Sequence, residues 1–387
     1  MIRRYAKHIL RVGIIFICAG LCAIRVISPA IAQSETYPLT RIATGLQNPR
    51  GVAILPDGRL VVAQAGTGFV SGRVADQTGK LSLFTDINND GDYDDAGEIA
   101  QLFNRLPGYN ILYHFNPGRD EIVGIGDVLV LDDGRIFYTL DDNFQVLSIV
   151  EVSPTFEHIG NFIESDGSLN SIAYDENRNV MYVTLSTSNG VSVVSMEGDI
   201  LSTVYLPLME NNQQSVPSGV AVDPLTGDML VTLFSGQLWD YYGSILSFVP
   251  GASKVIRINP ETGDYSDEIT GLTTAVDIAT DDNGNRYVVE MTTVWATPTM
   301  SHDFDLYDPN ALPDAGGYAR FTGRVTLFPA DHSEPVVLAD GLDQPTNVTY
   351  HDGMLYISTG QGTPGRPIWG EHGLTQIVGE LYTIALE

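Results

Sequence analysis

The chain has 387 residues, with 20 Lys or Arg against 48 Asp or Glu, so its formal net charge is −28. A field of that sign repels phosphate backbones and anionic lipid surfaces, which excludes nucleic-acid binding and polybasic membrane attachment. Two cysteines occur, Cys18 and Cys22, both close to the N-terminus, so neither a disulfide framework nor a cysteine-ligated metal holds the domain.

In chain order, the first element is a leader. Arg3, Arg4, Lys7 and Arg11 form a basic start, "VGIIFICAGLCAI" is an apolar run too short to span a bilayer comfortably, and "AIA" at 30–32 is a small-x-small cleavage site. We expect a signal peptide over 1–32 and one domain over 33–387. The protein would be secreted or periplasmic, off the membrane after cleavage, and a monomer. Cleavage removes five basic residues, no acidic residue and both cysteines, leaving 15 bases against 48 acids and a net charge of −33.

From residue 38 onward no helical period of useful length appears. "PLTRIATGL" (38–46) is a lone strand. A fixed unit then recurs six times: a short alternating strand, a tight turn and a second β-rich strand. The copies are "GLQNPRGVAILPDGRLVVAQAG" (45–66), "GIGDVLVLDDGRIFYTLDD" (124–142), "SLNSIAYDENRNVMYVTLS" (168–186), "VPSGVAVDPLTGDMLVTLFSG" (216–236), "TAVDIATDDNGNRYVVEMT" (274–292) and "GLDQPTNVTYHDGMLYISTG" (341–360). Asp57-Gly58, Asp133-Gly134, Asn283-Gly284 and Asp352-Gly353 are hairpin dipeptides that tolerate positive φ. A second, looser hairpin follows each of the first five copies, making a unit of four antiparallel strands. After the sixth copy only "GELYTIAL" (379–386) remains. The fold class is all-β, a six-bladed β-propeller whose last blade is completed by the N-terminal strand 38–46.

The connections between second and third strands are the long ones, at 66–79, 235–253, 291–323 and 360–378, and the crossover 107–125 returns to the same face. All three tryptophans, Trp239, Trp295 and Trp369, lie in them. Aromatics in solvent-side loops either pack the loops together or stack on a ligand. We expect a cleft there for a small-molecule, glycan or aromatic ligand.

The inner strands start at the mouth of the axial channel. Aligning the six copies places Arg50, Asp127, Asn170, Ser218, Asp277 and Asn347 at or next to that ring. Oxygen donors of this kind suit a divalent cation, which would polarise a carbonyl or activate water. Asp127 and Asp277 would then be the catalytic candidates, with Arg50, Asn170 and Asn347 binding ligand. The competing reading is that Asx and Ser residues satisfy backbone groups at strand starts.

A sharper metal pattern is "DINNDGDYDDAGE" (86–98), in the outer hairpin of the first unit. Asp86, Asn88, Asp90 and Asp92 occupy positions 1, 3, 5 and 7 of an EF-hand-type loop, with Gly91 at position 6. Asp94 follows, and Glu98 comes one residue later than the usual bidentate Glu. Calcium bound here would staple the hairpin. The alternative is a solvated acidic turn.

The first unit, "GLQNPRGVAILPDGRLVVAQAGTG", resembles that of a family of secreted propellers named after the scytonemin gene cluster, the ScyD/ScyE family. Gln64 stands where that family usually has an acid. The Pro-Asp-Gly hairpin is also similar to NHL and gluconolactonase-like propellers, and the latter hold an axial metal through Glu, Asn and Asp. That resemblance implies a metal-dependent lactonase or esterase on Asp127, Asn170, Asp277 and Asn347. The other readings are a ligand-binding propeller without catalysis and an extracellular interaction scaffold.

Overall fold

The structure, a computed structural model, describes residues 37–68, 77–110, 121–141, 147–165, 167–209, 214–234, 250–294, 318–370 and 373–386. Among the described residues there is no helix, and the alternating runs of the sequence are strands. The chain opens with β1 (Leu39–Leu46), followed by blade one: β2 (Pro49–Ile54), β3 (Leu60–Gln64), β4 (Gly79–Phe84) and β5 (Ile99–Leu106). A short β6 (Gly108–Asn110) pairs with the start of the next strand. Blade two is β7 (Ile122–Val130), β8 (Ile136–Asp141), β9 (Leu147–Val152) and β10 (His158–Ser165). Blade three is β11 (Leu169–Asp175), β12 (Val180–Leu185), β13 (Gly190–Ser195) and β14 (Ile200–Tyr205). Blade four is β15 (Pro217–Val222), β16 (Met229–Leu233), β17 (Ser253–Ile258) and β18 (Tyr265–Leu272). Blade five is β19 (Ala275–Thr280), β20 (Arg286–Glu290), β21 (Gly323–Phe328) and β22 (Val336–Leu342). Blade six has β23 (Asn347–His351) and β24 (Met354–Thr359). A separate hairpin of β25 (Pro367–Gly370) and β26 (Gly373–Gln376) precedes its third strand, β27 (Gly379–Ala385). The outer strand of this blade is β1, paired antiparallel with β27 from Leu39 opposite Ile384 to Leu46 opposite Gly379. The first and last strands therefore sit in one sheet, and β1 covers the edge that β27 would otherwise leave open.

The recurrent Gly-Leu-x-x phrase, followed by Pro49, Ala275 or Pro345, is a crossover from one blade's outer strand to the next blade's inner strand. Its glycine has φ of 73°, 81° and 77° at Gly45, Gly271 and Gly341, and the residue three later is also left-handed, at Asn48 (53°), Thr274 (50°) and Gln344 (43°). In blade one Arg105 takes the glycine's place with φ 58°, a conformation that costs an L-residue roughly 1–2 kcal/mol.

The cores lie between adjacent blades, where strand faces with period-2 apolar residues meet. Phe137, Ile149, Met181 and Val183 fill the seam of blades two and three, and Tyr182, Val191, Val231 and Ile256 that of blades three and four. At about 1.5–3 kcal/mol for each buried side chain of this kind, these seams hold the ring and leave the axis to polar groups.

Candidate functional site

The inner strands contribute two rings at the axis. The lower ring is Gly51, Asp127, Ser171, Gly219, Asp277 and Asn347, each just before the Val or Ile that settles into regular pairing: Val52, Val128, Ile172, Val220, Ile278 and Val348. In blades two to four its N–H donates to a threonine of the second strand, Asp127 to Thr139 (2.8 Å), Ser171 to Thr184 (2.9 Å) and Gly219 to Thr232 (2.7 Å). Arg50, Asn170 and Ser218 stand one residue earlier, in the upper ring with Gly126, Val276 and Thr346. Of the six residues expected at or next to the ring, Asp127, Asp277 and Asn347 thus stand in the lower ring and Arg50, Asn170 and Ser218 next to it. Five of the six inner strands carry a register shift at this point, and a one-residue slip turns a strand side chain to the other face.

The lower ring stitches blades together. The next blade's Ile172 N–H donates to Asp127 Oδ2 (3.0 Å), Val220 to Ser171 Oγ (3.3 Å), Val348 to Asp277 Oδ2 (2.9 Å) and Val52 to Asn347 Oδ1 (3.3 Å). Asp127 also accepts Ser171 Oγ–H (2.8 Å) and its own Val128 N–H (2.9 Å). Asp277 accepts Asn347 Nδ2–H (2.7 Å) and the N–H of Ile278. The two remaining positions are glycines because the neighbouring carboxylate fills their space. A Cβ on Gly51 would lie 2.6 Å from Asp127 Oδ1, and one on Gly219 would lie 2.5 Å from Asp277 Oδ1. The order Gly-Asp-Ser, Gly-Asp-Asn therefore repeats every three blades.

Burial pushes the Asp127 carboxyl up to about 6. Asp277 is pushed well above the ordinary carboxylate range, first by burial and then by the charge of Asp127. Each carboxylate already accepts three donors, so about one of its four lone-pair sites is left for a cation. The chamber between them, about 20 Å³, has room for one water-sized occupant.

Above this chamber is a cavity of about 130 Å³. Its lining brings polar Arg50, Glu121, Asp141, Asn170 and Gln361 together with apolar Ile125, Leu169, Phe234, Val276 and Met291. Arg50 donates to the Ile122 carbonyl oxygen. The Gln361 amide, oriented to satisfy its neighbours, accepts from Arg50 Nη2 (2.7 Å) and donates to Asn48 Oδ1 (2.8 Å). Burial lowers the Arg50 pKa, and the charge of Glu121 works against that. Asp141 accepts Tyr109 O–H (2.8 Å) and Ser168 Oγ–H (3.0 Å). Sequence reasoning missed Asp141, Phe234 and Gln361, which lie at the ends of second strands or just beyond them and carry no motif. It also missed Ser171, Gly51 and Gly219, although the Pro-x-Gly-Val-Ala shared by blades one and four signals the two glycines.

At the rim, Asp86, Asp90 and Glu98 bring carboxylate oxygens within 4.8 Å of one another. Asn88 joins them, donating to Asp90 Oδ2 (2.9 Å). The Asp92 and Asp94 carboxylates accept N–H groups outside this cluster. Asp92 Oδ1 accepts the N–H of Asp94 (3.0 Å), and Asp94 Oδ1 accepts that of Thr44 in β1 (2.9 Å). Tyr93 N–H also donates to Ile42 in β1 (2.7 Å). The acidic loop of blade one thus clamps the strand that closes blade six. Trp239 and Trp295 lie outside the described residues, as do the side chain of Trp369 and the expected leader.

No family model matches the chain, and no curated protein does. Solved structures do. A Trichoderma reesei carbohydrate-active enzyme of family AA12 aligns with TM-score 0.54 at 12% identity, over 93% of this chain and 98% of that one. A Bacteroides thetaiotaomicron protein of unknown function gives 0.53 at 11% identity, over 92% and 77%. A provisionally assigned gluconolactonase gives 0.49 at 11% identity, over 92% and 96%. At such identities the likeness is one of fold, and this chain is a six-bladed β-propeller.

Proposed function

We propose that the protein is an exported propeller that holds a small amphiphilic ligand in the cavity at the axial mouth. The observation that carries this reading is the mixed lining, with Arg50, Asn170 and Asp141 from blades one to three and Phe234, Val276 and Met291 from blades four and five. The volume, about 130 Å³, compares with the roughly 150 Å³ that accommodates a single benzene ring. The ligand is therefore one ring bearing polar substituents, or an aliphatic molecule of that size. Saturation-transfer NMR with single-ring fragments tests it. Fragments should bind to wild type, and Val276→Trp, which fills the cavity, should abolish the signal while the melting curve stays cooperative. Equal binding by this variant sinks the proposal.

A metal-dependent lactonase on Asp127 and Asp277 is the second reading. It is weaker, because both carboxylates are engaged in holding the next blade. A lactone and aryl-ester panel with added divalent metals, run on wild type and on the Asp127→Asn, Asp277→Asn double variant, distinguishes the two. The motif of blade one supports a relation to the ScyD/ScyE propellers, and the basic, apolar and small-residue order of 1–32 supports export. Recovered exported protein should lack those residues by mass spectrometry. Calcium at Asp86, Asn88, Asp90 and Glu98 would relieve the repulsion of the clustered carboxylates and, through Asp94 and Tyr93, tighten the closing strand.

A further inference from the structure

We propose that β14, the outer edge of blade three, is the contact between two copies of this chain, which pair through it antiparallel about a twofold axis. Its sequence, Ile-Leu-Ser-Thr-Val-Tyr (200–205), contains no charge. The other five outer strands all do: Arg105 in β5, Glu164 in β10, Asp267 and Glu268 in β18, Asp340 in β22 and Arg41 in β1. Charged residues on an edge strand are one guard against edge-to-edge pairing and bulges are another; β14 lacks the first and, like the outer strands of the other five blades, keeps the second. Among the described residues β13 is the sole hydrogen-bonded neighbour of β14, so its far side presents backbone groups outward. Apolar side chains are exposed along it, with Ile200 at 50%, Leu201 at 59%, Tyr205 at 68% and Leu208, just beyond, at 54%. The pairing register slips at Leu201, which swings that side chain outward.

The occupant follows from complementarity. The strand reads apolar, apolar, hydroxyl, hydroxyl, apolar, aromatic, which is a palindrome in polarity. An antiparallel twofold between Ser202 and Thr203 sets Ile200 against Tyr205 of the partner subunit, Leu201 against Val204 of the partner subunit and Ser202 against Thr203 of the partner subunit. Aromatic–β-branched, apolar and hydroxyl pairs are the favourable cross-strand combinations, and an isologous contact requires this self-complementarity. The same axis sets Asp199 opposite Leu206 of the partner subunit, so no acid meets an acid. Copies of a chain with net charge −28 repel along every other outer edge that bears acids, and a foreign cationic partner would be drawn to those edges instead. Where the sequence led us to expect a monomer, the proposed state is a weak, symmetric dimer.

Light scattering coupled to size exclusion, over a concentration series of the purified protein, tests this. Wild type should pass from the mass of one chain to that of two as concentration rises. Its dissociation constant should fall as salt is raised from about 0.05 to about 0.5 M, because screening removes the self-repulsion. Leu201→Lys and Ser202→Lys should each weaken the dimer at least tenfold with unchanged melting curves. Leu225→Lys, an equally exposed leucine in blade four (65%), should dimerise as wild type does. A single-chain mass at every concentration and salt overturns the proposal. So do lysine variants that dimerise as tightly as wild type, or association with a different polypeptide through β14 in place of self-pairing.

Discussion

The axial carboxylates make a quantitative prediction about pH. Asp127 keeps its proton in the folded state up to about pH 6 because burial disfavours its charge. In the unfolded chain it loses that proton near its ordinary value of 3.8. The folded state therefore binds more protons between these limits. The contribution is fully present below about pH 4 and is lost as pH rises through about 6. A shift of about two units corresponds to roughly 3 kcal/mol. For a domain of some 350 residues, with an unfolding entropy of about 2.1 cal/mol/K per residue, that is roughly 4 °C in Tm. Asp277 moves in the same direction and part of its shift comes from Asp127, so the pair changes together. The many surface acids add their own pH dependence, and the informative quantity is a difference. Melting curves of wild type and Asp127→Asn, measured from pH 4 to 7.5, should diverge, with wild type losing about 3 kcal/mol more. Parallel curves would refute the reasoning, since they would mean that the carboxyl is solvated and the seam does not depend on it.

Gly219→Ala should destabilise by about 1–3 kcal/mol in urea unfolding, since the new methyl would sit 2.5 Å from Asp277 Oδ1 and 2.6 Å from its Cα. A neutral result would show that blades four and five separate freely. Arg105→Gly should raise stability by about 1 kcal/mol, by removing a left-handed non-glycine residue from an exposed crossover. Differential scanning fluorimetry with and without calcium should show a rise in Tm for wild type that Asp86→Ala with Asp90→Ala abolishes. Equal responses would return the loop to a solvated turn.

The blade count and strand order were legible in the sequence because they rest on local rules. Period-2 alternation marks a strand wherever it packs. Asp-Gly and Asn-Gly dipeptides mark tight turns, and "TRIATGL" resembles the other outer-strand endings "SDEITGL" and "VVLADGL". The EF-hand-like spacing likewise located Asp86, Asn88 and Asp90, which the fold does bring together with Glu98. The axis was not legible at single-residue precision. The shift at the start of five inner strands changes which side chain faces the channel, and it leaves no mark on alternation. Whether Asp127 and Asp277 are ligands or seam caps depends on N–H groups of the following blade, Ile172 and Val348, 45 and 71 residues away. The cavity is likewise a property of the closed ring: Arg50, Asp141, Phe234 and Gln361 come from four blades. They meet only because the twist and packing of six sheets bring their inner ends to one axis, and local sequence patterns do not encode that convergence.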